Sequence, residues 1–130
     1  MAAVLAAAGS LAAVPLAGAQ TPGTVGIGDP YFPSAGNGGY DVGHYDLRLA
    51  FRPRSGAIRA TATIDATATQ ALSAFNLDFG RLKVSSLAVN GAPATVRHRR
   101  GELTVTPAAP IASGAAFQVA VSYRGRGRPL

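Results

Sequence analysis

The sequence contains no cysteine among its 130 residues. It therefore offers no disulfide framework, no thiolate metal site and no thiol nucleophile. Acidic residues are also few, six against twelve lysines and arginines, which gives a formal net charge of +6. The chain is long enough for one domain, and 48% of it is hydrophobic, which is sufficient for a core.

The sequence also lacks an apolar run long enough for a membrane span. Residues 2–17 carry no charge, but they fall short of the roughly 20 residues that a spanning helix needs. The stretch ends in Ala17-Gly18-Ala19, which is typical of a signal-peptide cleavage site, although the usual preceding basic residues are missing. We therefore predict a signal peptide over residues 1–19, cleavage near Ala19-Gln20, a secreted protein and no membrane span.

The basic residues form two clusters in the sequence, a pattern that can bind phosphates or an anionic cell surface. The first cluster has no interleaved aromatic residue and no helical pattern, so we do not expect nucleic acid as a partner. The clusters are Arg97, Arg99 and Arg100, and Arg124, Arg126 and Arg128.

Two regions follow the predicted signal peptide. Residues 20–39 are rich in glycine and proline and show no lasting period, which indicates a linker or extended arm. From residue 40 onward, apolar and polar residues alternate with period two, as in half-buried strands. One example is the run AIRATATIDATATQ, and another is Tyr45, Leu47, Leu49 and Phe51 on one predicted face.

Turn signals separate these strands every eight to twelve residues. Asn90-Gly91 predicts a tight hairpin, and the following Pro93 suits only an edge or an imperfect strand start. Arg100-Gly101 predicts a second tight turn. We predict an all-β fold, an antiparallel β-sandwich or saddle of about seven to eight strands, over residues 40–130.

The segment GGYDVGHYDLRLAF raises the question of chemistry, because His44 lies between Asp41 and Asp46. On a regular strand His44 and Asp46 share one face and Asp41 lies on the other, which we interpret as a solvated polar face. A catalytic zinc needs three protein ligands and an open position, and neither HExxH nor HxH spacing is present. His98 is interpreted as a half-buried strand residue among arginines.

Other catalytic patterns are also missing. The sequence has no GxSxG elbow and no phosphate loop. Nothing in the spacing of the six acids predicts that two of them converge as a carboxylate pair; these are Asp29, Asp41, Asp46, Asp65, Asp78 and Glu102. We therefore assign no catalytic, cofactor-binding or metal-binding residue to this chain.

Several segments in order resemble the start of secreted bacterial zinc aminopeptidases of the aminopeptidase N family. The resemblance runs from about Gly26 to Gly125, with one departure at Arg59-Ala60, where relatives usually have a glycine. The segments are GIGDPYFPSAGNGGYDVGHYDLRLAF, ATATIDATATQALSAFNLDF, LKVSSLAVNGAPA and FQVAVSYRG.

The resemblance implies an N-terminal β-saddle domain, incomplete at its C-terminus, followed in relatives by a catalytic domain. That domain carries HExxH, a distal zinc-binding Glu and a GxMEN-type motif, none of which this sequence contains. The implied partners are the missing catalytic domain of the same polypeptide and, for the parent enzyme, a peptide substrate. No cofactor is expected in this chain, since zinc belongs to the missing domain.

Two hypotheses of different classes follow. In the first, the chain is a non-catalytic domain that supports and caps the active-site cleft of a zinc aminopeptidase, is inactive alone, and exposes apolar surface without its neighbour. In the second, it is a stand-alone secreted β-sandwich that binds an anionic cell-surface polymer or glycan through its arginine clusters. Salt-dependent binding would favour the second.

Overall fold

A computed structural model describes residues 19–31 and 36–127. The predicted signal peptide lies outside these residues except for Ala19, and so does Arg128 of the second arginine cluster. Every regular element in the described part of the chain is a β-strand, which confirms the all-β prediction. In the same residues there is no helix of the length and hydropathy that crossing a bilayer would require.

The described residues form nine strands, two of which are only two residues long. The seven longer strands agree with the number predicted from the alternation. The strands are β1 (Thr21–Pro22), β2 (Tyr40–Arg52), β3 (Ala57–Ala68), β4 (Leu72–Asp78), β5 (Lys83–Val89), β6 (Ala92–Pro93), β7 (Thr95–Arg99), β8 (Glu102–Thr106) and β9 (Ala116–Arg126).

These strands build two sheets that face each other. The larger sheet has the order β2-β3-β9-β5-β6 and is antiparallel throughout. The smaller sheet has the order β1-β4-β8-β7, in which only β1 pairs in parallel. The core lies between them and includes Phe75, Leu72, Leu103, Val105 and Val119, each at most 1% exposed.

Both predicted tight turns are present and use the backbone that they require. Asn90 and Gly91 have φ values of 50° and 80°, and Arg100 and Gly101 have 48° and 88°. Positive φ at both central residues is the requirement of a two-residue type I′ hairpin. Pro93 lies in β6 at the edge of the larger sheet, where its missing N–H costs no ladder hydrogen bond.

The described part of the Gly/Pro-rich arm lies along β4 and extends the smaller sheet. Gly23 N donates to Ala74 O (2.9 Å), and Gly23 O accepts from the side-chain nitrogen of Asn76 (3.1 Å). A Cβ at Gly23 would lie 2.5 Å from Gly38 O, so glycine is needed for this close approach. Asn76 alternates with the core residues Phe75 and Leu77 along β4, and the arm covers it and leaves it 5% exposed.

Candidate functional site

The His44 segment forms part of β2, and a β-bulge between Val42 and His44 changes its facing. Asp41, His44 and Asp46 pair with Thr67, Asp65 and Thr63, which are alternate residues of β3. Residues directly opposite each other in an antiparallel pair share a face. The prediction that Asp41 lies on the other face is therefore wrong, because the extra residue in the bulge reverses the alternation.

The resulting group of polar side chains lies on the exposed outer face of the larger sheet. The Asp65 carboxylate accepts a hydrogen bond from the Gln118 amide (Oδ1–Nε2, 2.8 Å). Within residues 19–31 and 36–127, no three His, Cys, Asp or Glu side chains are arranged to hold a metal ion. His44 thus lies among carboxylates without a three-ligand geometry.

His98 lies on β7, the edge strand of the smaller sheet, on the face that carries Leu103 of β8. Its Nε2 is 3.1 Å from Phe79 O, and its ring meets the Phe79 ring edge-on at 5.4 Å. The residue is exposed rather than half-buried as predicted, because β7 has no neighbour on its outer side. Its contacts attach β7 to the chain that follows β4.

Two carboxylates that the sequence does not predict to converge lie directly opposite each other. Asp78 ends β4, Glu102 begins β8, and the two are cross-strand partners. Burial, a hydrogen bond with Asp78 and the negative charge of Asp78 raise the pKa of Glu102 from 4.5 to about 7. The pair therefore binds a proton in a pH range where an isolated carboxyl would not.

The carboxylate pair is also where the arm meets the smaller sheet. Gly36 N donates to Asp78 Oδ2 (3.0 Å), and the Asn37 amide nitrogen donates to Asp78 Oδ1 (3.3 Å). With that amide turned over, the nitrogen instead donates to Glu102 Oε2 (3.3 Å). Through these hydrogen bonds the two acids contact the second part of the arm. The Arg100-Gly101 turn predicts where β8 begins and hence the position of Glu102, but the pairing of Glu102 with Asp78 depends on the β4–β8 ladder and has no signal in the sequence.

The two arginine clusters of the sequence lie in different sheets. Arg97 and Arg99 are on β7, in the smaller sheet, whereas Arg124 and Arg126 are on β9, in the centre of the larger sheet. Arg124 there pairs with Arg59 of β3 on one side and with Lys83 of β5 on the other. The tertiary structure thus joins cations that are distant in sequence.

A row of large apolar side chains on β2 is exposed, and we call it the apolar strip: Tyr45, Leu47, Leu49 and Phe51, which are 62%, 57%, 58% and 54% exposed. Their partners on β3 include Ile64 and Ala60, which are core residues at 6% exposure. The strip therefore lies on the inner face of the larger sheet. The smaller sheet does not extend far enough to cover it.

A groove of about 490 Å³ borders the apolar strip and is lined by residues of both sheets. Tyr45 and Leu77 lie on its walls, and Asp78 and Asn37 of the arm junction lie at its side. Tyr40 also lines the groove. Its ring packs edge-on against Phe75 (5.7 Å between centroids), and its hydroxyl donates to Asn76 O (2.6 Å). Burial raises the pKa of Tyr40, which keeps the phenol neutral.

Comparison with known proteins finds similar solved structures. The chain is similar to an M1 zinc metallopeptidase from Deinococcus radiodurans, with a TM-score of 0.71 and 31% identity over 79% of this chain and 24% of that one. The same values hold for a mutant of that enzyme bound to a Tyr-Ser-Ala substrate and for a two-domain M1 mutant bound to L-tryptophan. No protein-family model and no curated protein matches the sequence.

The chain spans about a quarter of the length of the metallopeptidases that it matches. The likeness is thus to one domain of a larger peptidase and is consistent with an N-terminal position in such an enzyme.

Proposed function

We propose that this chain is the non-catalytic N-terminal domain of a secreted zinc-dependent aminopeptidase. The observation that carries the proposal is the match, at 31% identity, to 24% of the length of an M1 zinc metallopeptidase. Since the match covers so small a share of that enzyme, the rest of such an enzyme is long enough to contain a catalytic domain. In this proposal the parent enzyme removes N-terminal residues from peptides. In the same proposal the catalytic domain binds the zinc of the parent enzyme, and this chain contributes no ligand to it.

The apolar strip supports a docked position for this domain. Leu47 and Leu49 are more than half exposed although they lie on the face that elsewhere forms the core. Several large apolar side chains exposed side by side are characteristic of an interaction surface. We propose that the catalytic domain of the same polypeptide covers the strip, and that the domain thereby supports and caps the active-site cleft.

The test is to express the complete open reading frame and to measure release of the N-terminal residue from a short peptide. We expect a zinc-dependent activity that a chelator abolishes, while the 130-residue chain alone shows none. A reading frame without a downstream HExxH and distal Glu, or a full-length product without aminopeptidase activity, would contradict the proposal.

Secretion is tested separately by mass spectrometry of the protein recovered outside the cell. We expect an N-terminus at Gln20, as the Ala17-Gly18-Ala19 site predicts. An intact residue 1, or recovery only from the cytoplasm, would contradict that part of the proposal.

A further inference from the structure

We propose that the outer face of the larger sheet binds a carboxylate-bearing polysaccharide through a group of cations at one end of that face. We call this group the basic end, and it consists of Arg48, Arg52, Arg59, Lys83, Arg124 and Arg126. All six side chains are exposed. The group unites residues from β2, β3, β5 and β9, so neither sequence cluster corresponds to it.

The strand register places these cations in three neighbouring rows across the sheet, and Arg48 lies in the first of them, opposite Thr61. Arg59, Arg124 and Lys83 occupy one row on β3, β9 and β5. One row further along, toward the end of the sheet, Arg52 and Arg126 flank Ala57. Strands are ~4.8 Å apart, and alternate residues on one strand are ~7 Å apart. The cations therefore lie within reach of a single extended polymer.

Charge is separated along this face. Arg48 pairs with Asp46 (3.8 Å), and within the described residues it alone among the six lies within 4.0 Å of a carboxylate. The other acids of the face, Asp41 and Asp65, lie toward the opposite end of the sheet. The positive charge of the basic end is thus almost uncompensated within the domain, and an anionic partner would complement it.

The chemistry of the face favours a sugar polymer over nucleic acid. A shallow depression of about 420 Å³ lies between Arg48, Arg59 and Arg124, and the hydroxyl groups of Thr61 and Ser122 also line it. Guanidinium groups match planar carboxylates with two parallel hydrogen bonds.

Binding of single-stranded nucleic acid instead depends on aromatic side chains that stack on bases. No Phe or Tyr occupies an outward-facing position in the described strands of the larger sheet. Tyr123, which also borders the depression, pairs with the core residue Ala60 and packs its ring against Phe79 on the inner face.

This surface is independent of the proposed docking of a catalytic domain. The apolar strip and the basic end occupy opposite faces of the same sheet. Leu49 of the strip pairs with the core residue Ala60, whereas the next residue, Ala50, points to the other face and pairs with Arg59 of the basic end. A domain that covers the strip leaves the basic end open. The polysaccharide proposal can therefore fail while the peptidase proposal stands, and the reverse also holds.

The experiment is calorimetric titration of the 130-residue chain with alginate oligosaccharide at low and high NaCl. Dextran serves as the neutral polymer and oligothymidine as the nucleic-acid probe. The test variant combines Arg59→Gln, Lys83→Gln and Arg124→Gln. The control variant removes the same charge from the smaller sheet and its flank, with Arg81→Gln, Arg97→Gln and Arg99→Gln. Far-UV circular dichroism verifies that both variants are folded.

We expect alginate to bind at low salt, with an affinity that falls steeply as NaCl rises, and dextran not to bind. The test variant should lose about tenfold or more in affinity, and its slope of log affinity against log NaCl concentration should be shallower by about two to three. The control variant should change little in either quantity. Equal losses in the two variants would overturn the proposal, since net charge alone would then explain binding. Absence of alginate binding, equal binding of dextran, or tighter binding of oligothymidine would also overturn it.

Discussion

Neighbouring strands of one sheet carry the same pattern of alternating apolar residues and yet differ in burial. On β3 and β9, Ile64, Val119 and Val121 are 6%, 1% and 3% exposed. On β2, Leu47 and Leu49 occupy the same inner face and are 57% and 58% exposed. The difference arises because the smaller sheet covers only part of the larger one. Alternation therefore identifies the face of a side chain, whereas its burial depends on what lies opposite.

The strongest test of this difference compares two phenylalanines. Phe75 is 1% exposed in the covered part, and Phe51 is 54% exposed in the apolar strip. We expect Phe75→Ala to lower the free energy of unfolding by about 3–5 kcal/mol, because it leaves a cavity in the core. Phe51→Ala should lower it by less than about 1 kcal/mol. Urea denaturation of the two variants measures both values, and similar losses would contradict the assigned burial.

A second test loosens the attachment of the arm to the covering sheet. The buried Asn76 donates to Gly23 O (3.1 Å) and accepts from the Thr104 hydroxyl (2.8 Å). Asn76→Ala leaves both partners unsatisfied, and we expect a loss of about 1–3 kcal/mol in urea denaturation. The matched control is Gln70→Ala, which removes an exposed hydrogen bond to the arm and should lower the free energy of unfolding by less. Asn90→Ala would not serve as a control, because Asn90 has a positive φ that alanine disfavours.

A third test concerns the strip itself. We expect Leu47→Ser with Leu49→Ser to change the free energy of unfolding by less than about 1 kcal/mol, since neither side chain is buried in this chain. The same variant should bind less of a hydrophobic dye and self-associate less in sedimentation velocity runs. Unchanged dye binding would show that other surface accounts for the exposed apolar area.

The smallest effect is expected from the carboxylate pair at the arm junction. Because the pKa of Glu102 is raised from 4.5 to about 7, its proton is bound more tightly in the folded state. The stabilisation from this group is complete below pH 4.5 and is lost as the pH rises toward 7 and above.

The melting temperature of the Glu102→Gln variant minus that of the unmodified chain should therefore increase as the pH rises from 4.5 through 7. The measurement is thermal unfolding followed by circular dichroism across this range. Asp41→Asn, on the exposed outer face, removes one acid without touching the pair and provides the control for the change in net charge. A constant difference between the Glu102→Gln variant and the unmodified chain would contradict the raised pKa.

Much of the fold follows from local patterns in the sequence. The hairpins at Asn90-Gly91 and Arg100-Gly101 have the positive φ angles that those residue pairs predict. The predicted strand is present over Ala57–Ala68 and pairs with β9 without a register shift, so its alternating residues keep their faces. Local rules fail where a single residue disturbs the period, as at the bulge before His44, since one inserted residue reverses the facing of every residue before it.

The functional surfaces follow less from the sequence. The Arg97–Arg100 cluster is conspicuous in the sequence, but the cations of the larger sheet come from four strands and meet only through their register. The Asp78–Glu102 pair likewise depends on the pairing of β4 with β8. Neither grouping has a sequence spacing that would reveal it, because strand pairing joins residues regardless of their separation along the chain.

The sequence by itself determined the strands, the tight turns and the face on which each regular side chain lies, because these depend on backbone preferences and on the two-residue period of a strand. Only the tertiary structure decided which apolar side chains are covered, which charges meet and where the arm lies. Coverage depends on how far the smaller sheet extends over the larger one, and no local pattern encodes that extent. For this reason Val119 is buried while Leu49, in the same kind of alternation, is exposed.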